Sequence, residues 1–176
     1  MSESSRDHKE AASHDIKRIP YAVITASDTR TPDTDTSGKF IMAAMSDHPL
    51  VHYEIVKDEP DLIGDLLDAL TSQHENLRMI LVNGGTGIAP RDNTFDAVSS
   101  RLEKIMPGFG EIFRMLSYQE IGTAAMLSRA VAGVYRGVIV VSMPGSSNAV
   151  KLAMNNLILP ELEHLAWEVA GRKADI

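Results

Sequence analysis

Val82-Asn83-Gly84-Gly85-Thr86-Gly87-Ile88-Ala89-Pro90-Arg91-Asp92-Asn93-Thr94 is the stretch on which the fold turns. It follows a short apolar run, Arg78 to Val82, and leads into a helical stretch, so it reads as strand, loop, helix. Glycines let a backbone approach a ligand closely and let consecutive N–H groups point at one anion, with the dipole of the following helix adding attraction. Arg91 suits phosphate oxygens. Asp92 has the wrong sign for that duty; beside a phosphate it needs a proton or a bridging divalent cation, which points to Mg²⁺. Taken alone, Gly-Gly-Thr-Gly is equally a loop that needs glycine only for tight turns. It is not a Walker loop, because no Lys-Ser/Thr follows Gly87, and Pro90 stands where the dinucleotide fingerprint has its third glycine.

Working outward, Tyr21 to Ala26 and Val138 to Ser142 are further short β-branched runs that end in turn signals and read as buried central strands. Ile63, Leu66, Leu67 and Leu70 fall at i, i+3, i+4 and i+7, which predicts a helix after Pro60 with one apolar stripe. The same spacing at Val150, Ala153, Met154 and Leu157, and at Leu162, Leu165, Ala166 and Val169, predicts two more helices separated by Pro160. Val51, Tyr53 and Ile55 alternate with their neighbours, which predicts a strand nearer a sheet edge. Residues Ala130 to Val134 and Val138 to Ser142 flank Tyr135-Arg136-Gly137, a tight hairpin that adds one antiparallel strand. Strands alternating with helices predict a three-layer α/β/α sandwich with a mostly parallel mixed sheet, which binds ligands at the carboxyl ends of its strands.

Three more strand ends then become candidates. Met143-Pro144-Gly145-Ser146-Ser147 repeats the strand-turn-helix logic, although Ser146 or Ser147 is more often a helix cap than a ligand contact. Ser27 and Asp28 follow the first strand and are placed to wall a cleft or to make a plain turn. Asp58 precedes Pro60 and in isolation reads as a cap; a partner carboxylate would change that reading.

The chain has 176 residues, enough for one domain with a sizeable core, predicted over residues 19–171, with a disordered tail at 1–18 and a short tail at 172–176. Met1 to Lys17 is polar and lacks the apolar core of a secretory signal, and the longest apolar runs fall short of a membrane span. Cysteine is absent, which suits a reducing compartment, so a cytoplasmic location is expected. A net charge of −7 opposes binding to nucleic acid and means that any anion is held by local geometry.

His48 and His52 have zinc-like spacing, but Pro49 and the strand pattern disfavour a zinc site, and no Gly-x-Ser-x-Gly elbow supports Ser-His-Asp catalysis. The segment from Ile105 to Leu127 is more apolar than one helix on a sheet requires; core packing is the simpler reading, and an oligomer would use the same surface.

Together, Ala26-Ser27-Asp28-Thr29-Arg30, Asp35-Thr36-Ser37-Gly38, Gly84-Gly85-Thr86-Gly87, Arg91-Asp92, Pro107-Gly108-Phe109-Gly110-Glu111, Leu127-Ser128-Arg129-Ala130 and Pro144-Gly145-Ser146 resemble the MoaB/MogA family of molybdenum cofactor biosynthesis, and the MoaB branch more closely. The resemblance covers about residues 20 to 170. It implies a molybdopterin-binding (MogA-like) fold, a homo-oligomer (trimer or hexamer), contact with other molybdenum cofactor enzymes, and Mg-ATP-dependent adenylylation of molybdopterin with release of pyrophosphate. By the same resemblance Asp58 and Asp92 match the family's two functional aspartates and would position Mg²⁺ and the nucleophilic phosphate. Ser27, Asp28, Gly84, Gly85, Thr86, Gly87, Arg91, Pro144, Gly145 and Ser146 would line the substrate pocket. The chain departs from the family pattern at Asn83, at Phe95 and at Ser147-Asn148. The family also implies an alternative, a molybdopterin-binding or scaffold protein that keeps the fold without the transferase activity.

Overall fold

The computed structural model describes residues 18–170; the expected tails, apart from residue 18, lie outside the described residues. Along the chain run β1 (Tyr21–Ala26), α1 (Thr36–Ala44), β2 (Leu50–Val56), α2 (Pro60–Gln73), β3 (Met79–Gly84), α3 (Thr94–Ser99), β4 (Lys104–Ile105) and α4 (Pro107–Ile121). A 3₁₀ segment (Gly122–Leu127) leads to β5 (Val131–Tyr135), β6 (Val138–Pro144), α5 (Ser147–Ala153), a π turn (Met154–Ile158) and α6 (Leu159–Ala170).

The six strands form one sheet in the order β2-β1-β3-β6-β5-β4. β2, β1, β3 and β6 pair in parallel, and β5 runs antiparallel to both β6 and β4. The central strands are apolar on both faces because both faces are covered. Tyr21, Val23, Met79, Leu81, Ile139 and Val141 pack on the side that holds Ile41 of α1, Phe113 of α4 and Val150 of α5. The alternate residues Ala22, Ile24, Ile80, Val82 and Val140 pack against Ile63 and Leu67 of α2 and Val98 of α3. Each such Ile or Leu contributes about 1.5–3 kcal/mol by leaving water. The predicted mixed, mostly parallel three-layer sandwich is therefore the observed one.

Four differences from the expected elements have local causes. β3 and β6 extend into the glycine turns, with Gly84 paired to Pro144. The hairpin loop is only Arg136-Gly137, since Tyr135 pairs with Val138, and both loop residues have positive φ (48° and 77°) as the tight primed turn demands. The chain stays helical from α5 into α6: Leu159 N–H bonds the Met154 carbonyl, a π turn placed just before Pro160, whose ring would otherwise meet the carbonyl four residues back. Pro160 is thus in the first turn of α6 and does not break the helix. β4 carries no sequence signal of its own; two residues are too few for a period.

Within the apolar segment, Phe113 is buried on the sheet while Ile112, Met115, Tyr118 and Ile121 are exposed on the other side of α4, continued by Met126 and Leu127. The excess over core packing is therefore a surface. No described helix is long and apolar enough to cross a membrane.

Candidate functional site

Because β1, β3 and β6 are adjacent and parallel, their carboxyl ends bring three loops to one edge. The two glycine turns touch: Gly145 N–H donates to the Gly84 carbonyl at 2.9 Å, and a Cβ on Gly145 would lie 3.2 Å from Gly84 Cα. A cleft of about 170 Å³ opens there, lined by Thr25, Ser27, Arg30, Asn83, Gly85 and Gly145 among others. Ser27 and Arg30 also line a second cleft of about 520 Å³ toward the end of β2 and Lys57. A further cleft at His48, Pro160 and His164 shares none of these residues; His48 Nδ1 is occupied by the Ile19 N–H at 3.1 Å, and the described residues include no group of three metal-ligating side chains.

Asp58 and Asp92 come from loops 34 positions apart in the sequence and meet at Gly85. A Cβ on Gly85 would lie 1.9 Å from Asp58 Oδ2 and 2.8 Å from Asp92 Oδ1, so any side chain there would fill the space the two carboxylates share. Asp58 is buried and does not cap α2, whose N-cap is Glu59. Its Oδ1 instead accepts from Thr94 Oγ1 at 2.9 Å and Asn93 N–H at 3.2 Å, fastening the start of α3. Burial pushes the Asp58 carboxyl above the usual carboxylate range and neighbouring Asp92 adds to this, while the bonds from Thr94, Asn93 and Gly85 pull the other way. Asp92 Oδ2 accepts from Ala89 N–H at 3.0 Å.

Arg91 is 58% exposed and is held by two carboxylates, Asp28 at 2.8 Å and Glu59 at 2.8 Å. Its bond to Asp28 holds that carboxyl below its ordinary value. Arg91 thus ties the loop after β1 to the loop after β2. Ser27 Oγ accepts from Thr29 N–H and Arg30 N–H, a turn that also walls the cleft. Ser146 caps α5 by accepting from Ala149 N–H at 3.3 Å, so capping is its structural duty at the rim. α3 has only six residues, so it has less dipole to offer the glycine loop than a long helix.

Asp35 and Asn83 line the cleft floor and Tyr53 joins them, in roles that no local spacing announces. Asp35 is buried; it caps α1 through Gly38 N–H at 2.8 Å and accepts from Thr25 Oγ1 at 2.6 Å and Tyr53 Oη at 2.8 Å. Burial and that carboxylate push the Tyr53 phenol up. Asn83, one of the departures from the family pattern, donates to Thr25 Oγ1 at 2.9 Å and so extends the network to β3. Asp35-Thr36-Ser37-Gly38 carried a capping signal, but nothing in the sequence paired it with Tyr53.

The sequence model of a family described as "Probable molybdopterin binding domain" matches residues 22–164. The chain belongs to the MoaB/MogA family of molybdenum cofactor biosynthesis. Molybdenum cofactor biosynthesis protein B of Bacillus subtilis (strain 168) is 52% identical over 173 residues, covering 97% of this chain and 99% of its own. A crystal structure of Molybdenum cofactor biosynthesis protein B superposes with a TM-score of 0.83 at 49% identity, covering 87% of this chain and 96% of that one. The tungsten cofactor synthesizing protein MoaB from Pyrococcus furiosus gives 0.76 at 36% identity, covering 87% and 98%. The sequence motifs that resemble the MoaB/MogA family, from Ala26 to Ser146, therefore lie on a MoaB-like fold, and most of them sit at the carboxyl ends of its parallel strands.

Proposed function

We propose that the protein transfers the adenylyl group of Mg-ATP to molybdopterin, giving adenylyl-molybdopterin and pyrophosphate. The observation that carries this reading is the meeting of Asp58 and Asp92 beside Gly85, a residue that itself lines the cleft between the two glycine turns. In the reaction a phosphate oxygen of molybdopterin bonds to the α-phosphorus of ATP, and the bond from that phosphorus to the β-bridging oxygen breaks, so the electron pair leaves with pyrophosphate.

The residues fit Mg²⁺. Two carboxylates whose oxygens crowd one side of Gly85, where only a glycine leaves them room, offer hard oxygen donors, and Mg²⁺ commonly takes one or two carboxylates and completes its shell with phosphate oxygens and water. Asp58 and Asp92 would hold the ion, which when bound screens the phosphate charges. The chain's own part is orientation. The glycine loop beyond Gly85, whose own N–H is given to Asp58, offers amides to phosphate, Ser27 and Gly145 line the cleft beside it, and Arg91 braces Asp28 and Glu59 so that the loop carrying Asp58 stays in place.

Incubation with molybdopterin, Mg²⁺ and α-labelled ATP is expected to yield labelled molybdopterin and pyrophosphate. Asp92→Ala is expected to lower turnover by at least about 10²-fold while molybdopterin binding falls far less, because its carboxylate acts on charge that develops during transfer. Molybdopterin binding by the unaltered protein without any labelled product would instead support the scaffold alternative. We also propose that the exposed face of α4 joins copies of the chain into a trimer or hexamer.

A further inference from the structure

Arg129, between the 3₁₀ segment and β5, is the charged member of the Leu127-Ser128-Arg129-Ala130 motif, none of which takes part in the proposed reaction. Its guanidinium reaches the glycine loop from the side of α3. Nε donates to the Thr86 carbonyl at 2.9 Å, and Nη2 donates to the carbonyls of Gly87 at 2.6 Å and Asp92 at 3.3 Å. Nη1 and Nη2 each meet the Asp96 carboxylate at 3.0 Å, and Cζ lies 4.7 Å over the Phe95 ring. One side chain therefore grips both ends of an irregular loop and the first turn of the helix that follows.

A trans peptide is planar, so fixing a carbonyl fixes the next N–H in the opposite direction. Holding the carbonyls of Thr86 and Gly87 turns the N–H groups of Gly87 and Ile88 away from the guanidinium. Holding the Asp92 carbonyl sets the Asn93 N–H, which donates to Asp58 Oδ1 at 3.2 Å. The charge of Arg129 is already matched by Asp96, and its aromatic neighbour covers one face of the fork. Its fit is to backbone geometry. Lysine would keep the charge but not the planar array of donors.

We infer that Arg129 is a positioning residue that sets the peptide planes at 86–88 and 92–93, so that the loop amides and the Asp58 carboxylate are aligned for phosphate before substrate arrives. This rests on the phosphate-binding reading of the glycine loop. Two measurements on the full chain separate the inference from that reading. The first is amide hydrogen exchange of the free protein, wild type against Arg129→Lys; the second is binding of inorganic pyrophosphate with Mg²⁺ by calorimetry.

Arg129→Lys is expected to speed exchange at residues 85–93 by about tenfold or more, leave β1 and β3 protected, and weaken pyrophosphate about tenfold. Arg129→Gln, which loses the charge as well, should give losses of the same size as Arg129→Lys, since the planar donor array that both variants lack, and not the charge, sets the loop. Exchange and affinity in Arg129→Lys equal to wild type would overturn the inference, as would faster exchange with unchanged affinity, which marks a purely structural brace. Should Arg129→Lys fail to fold, Phe95→Leu, which strips the ring from the guanidinium, is expected to move both readouts in the same direction, and no movement in either would overturn it. A wild-type protein that does not bind pyrophosphate counts against the adenylyl-transfer reading, while the exchange data still decide the clamp.

Discussion

Asp58 combines two properties that pull against each other: it is buried, and it stands beside a second carboxylate. Because folding raises its pKa, protonation of this carboxyl favours the folded chain over the unfolded one. The stability that this carboxyl contributes is therefore fully present below the ordinary Asp range and is lost as pH climbs through the raised value. Asp58→Asn keeps an acceptor for Thr94 and Asn93 and removes the ionisation. The difference in Tm, variant minus wild type in metal-free buffer, is expected to grow as pH rises from about 4 to about 7. A difference that stays constant or shrinks with pH would show that desolvation does not dominate at this residue. In the sequence, Asp58 was legible as a site only through the family resemblance. An Asp before Glu-Pro reads locally as a cap, and the partner that changes its meaning is 34 positions away.

Elements, in contrast, were largely legible, because buried parallel strands and amphipathic helices leave periods in the sequence. β1, β3 and β6 read as continuous apolar runs in the sequence, and α2 shows its stripe. Less legible was how elements are joined at the cleft. Ser37 Oγ of α1 donates to the Gly145 carbonyl at 2.9 Å, and Asp35 links α1 to β1 and β2. Such links have no spacing rule, since each partner lies on a different element. Asp35→Ala removes a helix cap and two side-chain bonds to a carboxylate, and is expected to cost about 3–5 kcal/mol in urea denaturation, against about 1–2 for Tyr53→Phe, which loses one bond. Equal costs for the two variants would mean that the carboxylate is not the hub of the network.

At the scale of the whole molecule, the exposed residues Ile112, Met115, Tyr118, Ile121 and Met126 form an apolar surface on the side of α4 turned from the sheet. Sedimentation is expected to find a homo-oligomer, and Met115→Lys to shift it toward monomer; a monomeric wild type would remove the assembly proposal while leaving the cleft as described. Strands alternating with helices gave the α/β class that the sheet shows, and composition gives the acidity, but an acidic chain that is to hold a polyphosphate needs its amides, glycines and carboxylates in one place. That convergence is a property of strand order, which periodicity does not encode. It is tested most directly by Mn²⁺ binding, read as loss of the free-ion EPR signal with ATP present, in wild type, Asp58→Asn and Asp92→Asn. Wild type is expected to take up Mn-ATP and each variant to bind it at least about tenfold more weakly. Equal uptake by all three proteins would contradict a shared cation and polyanion site at Gly85.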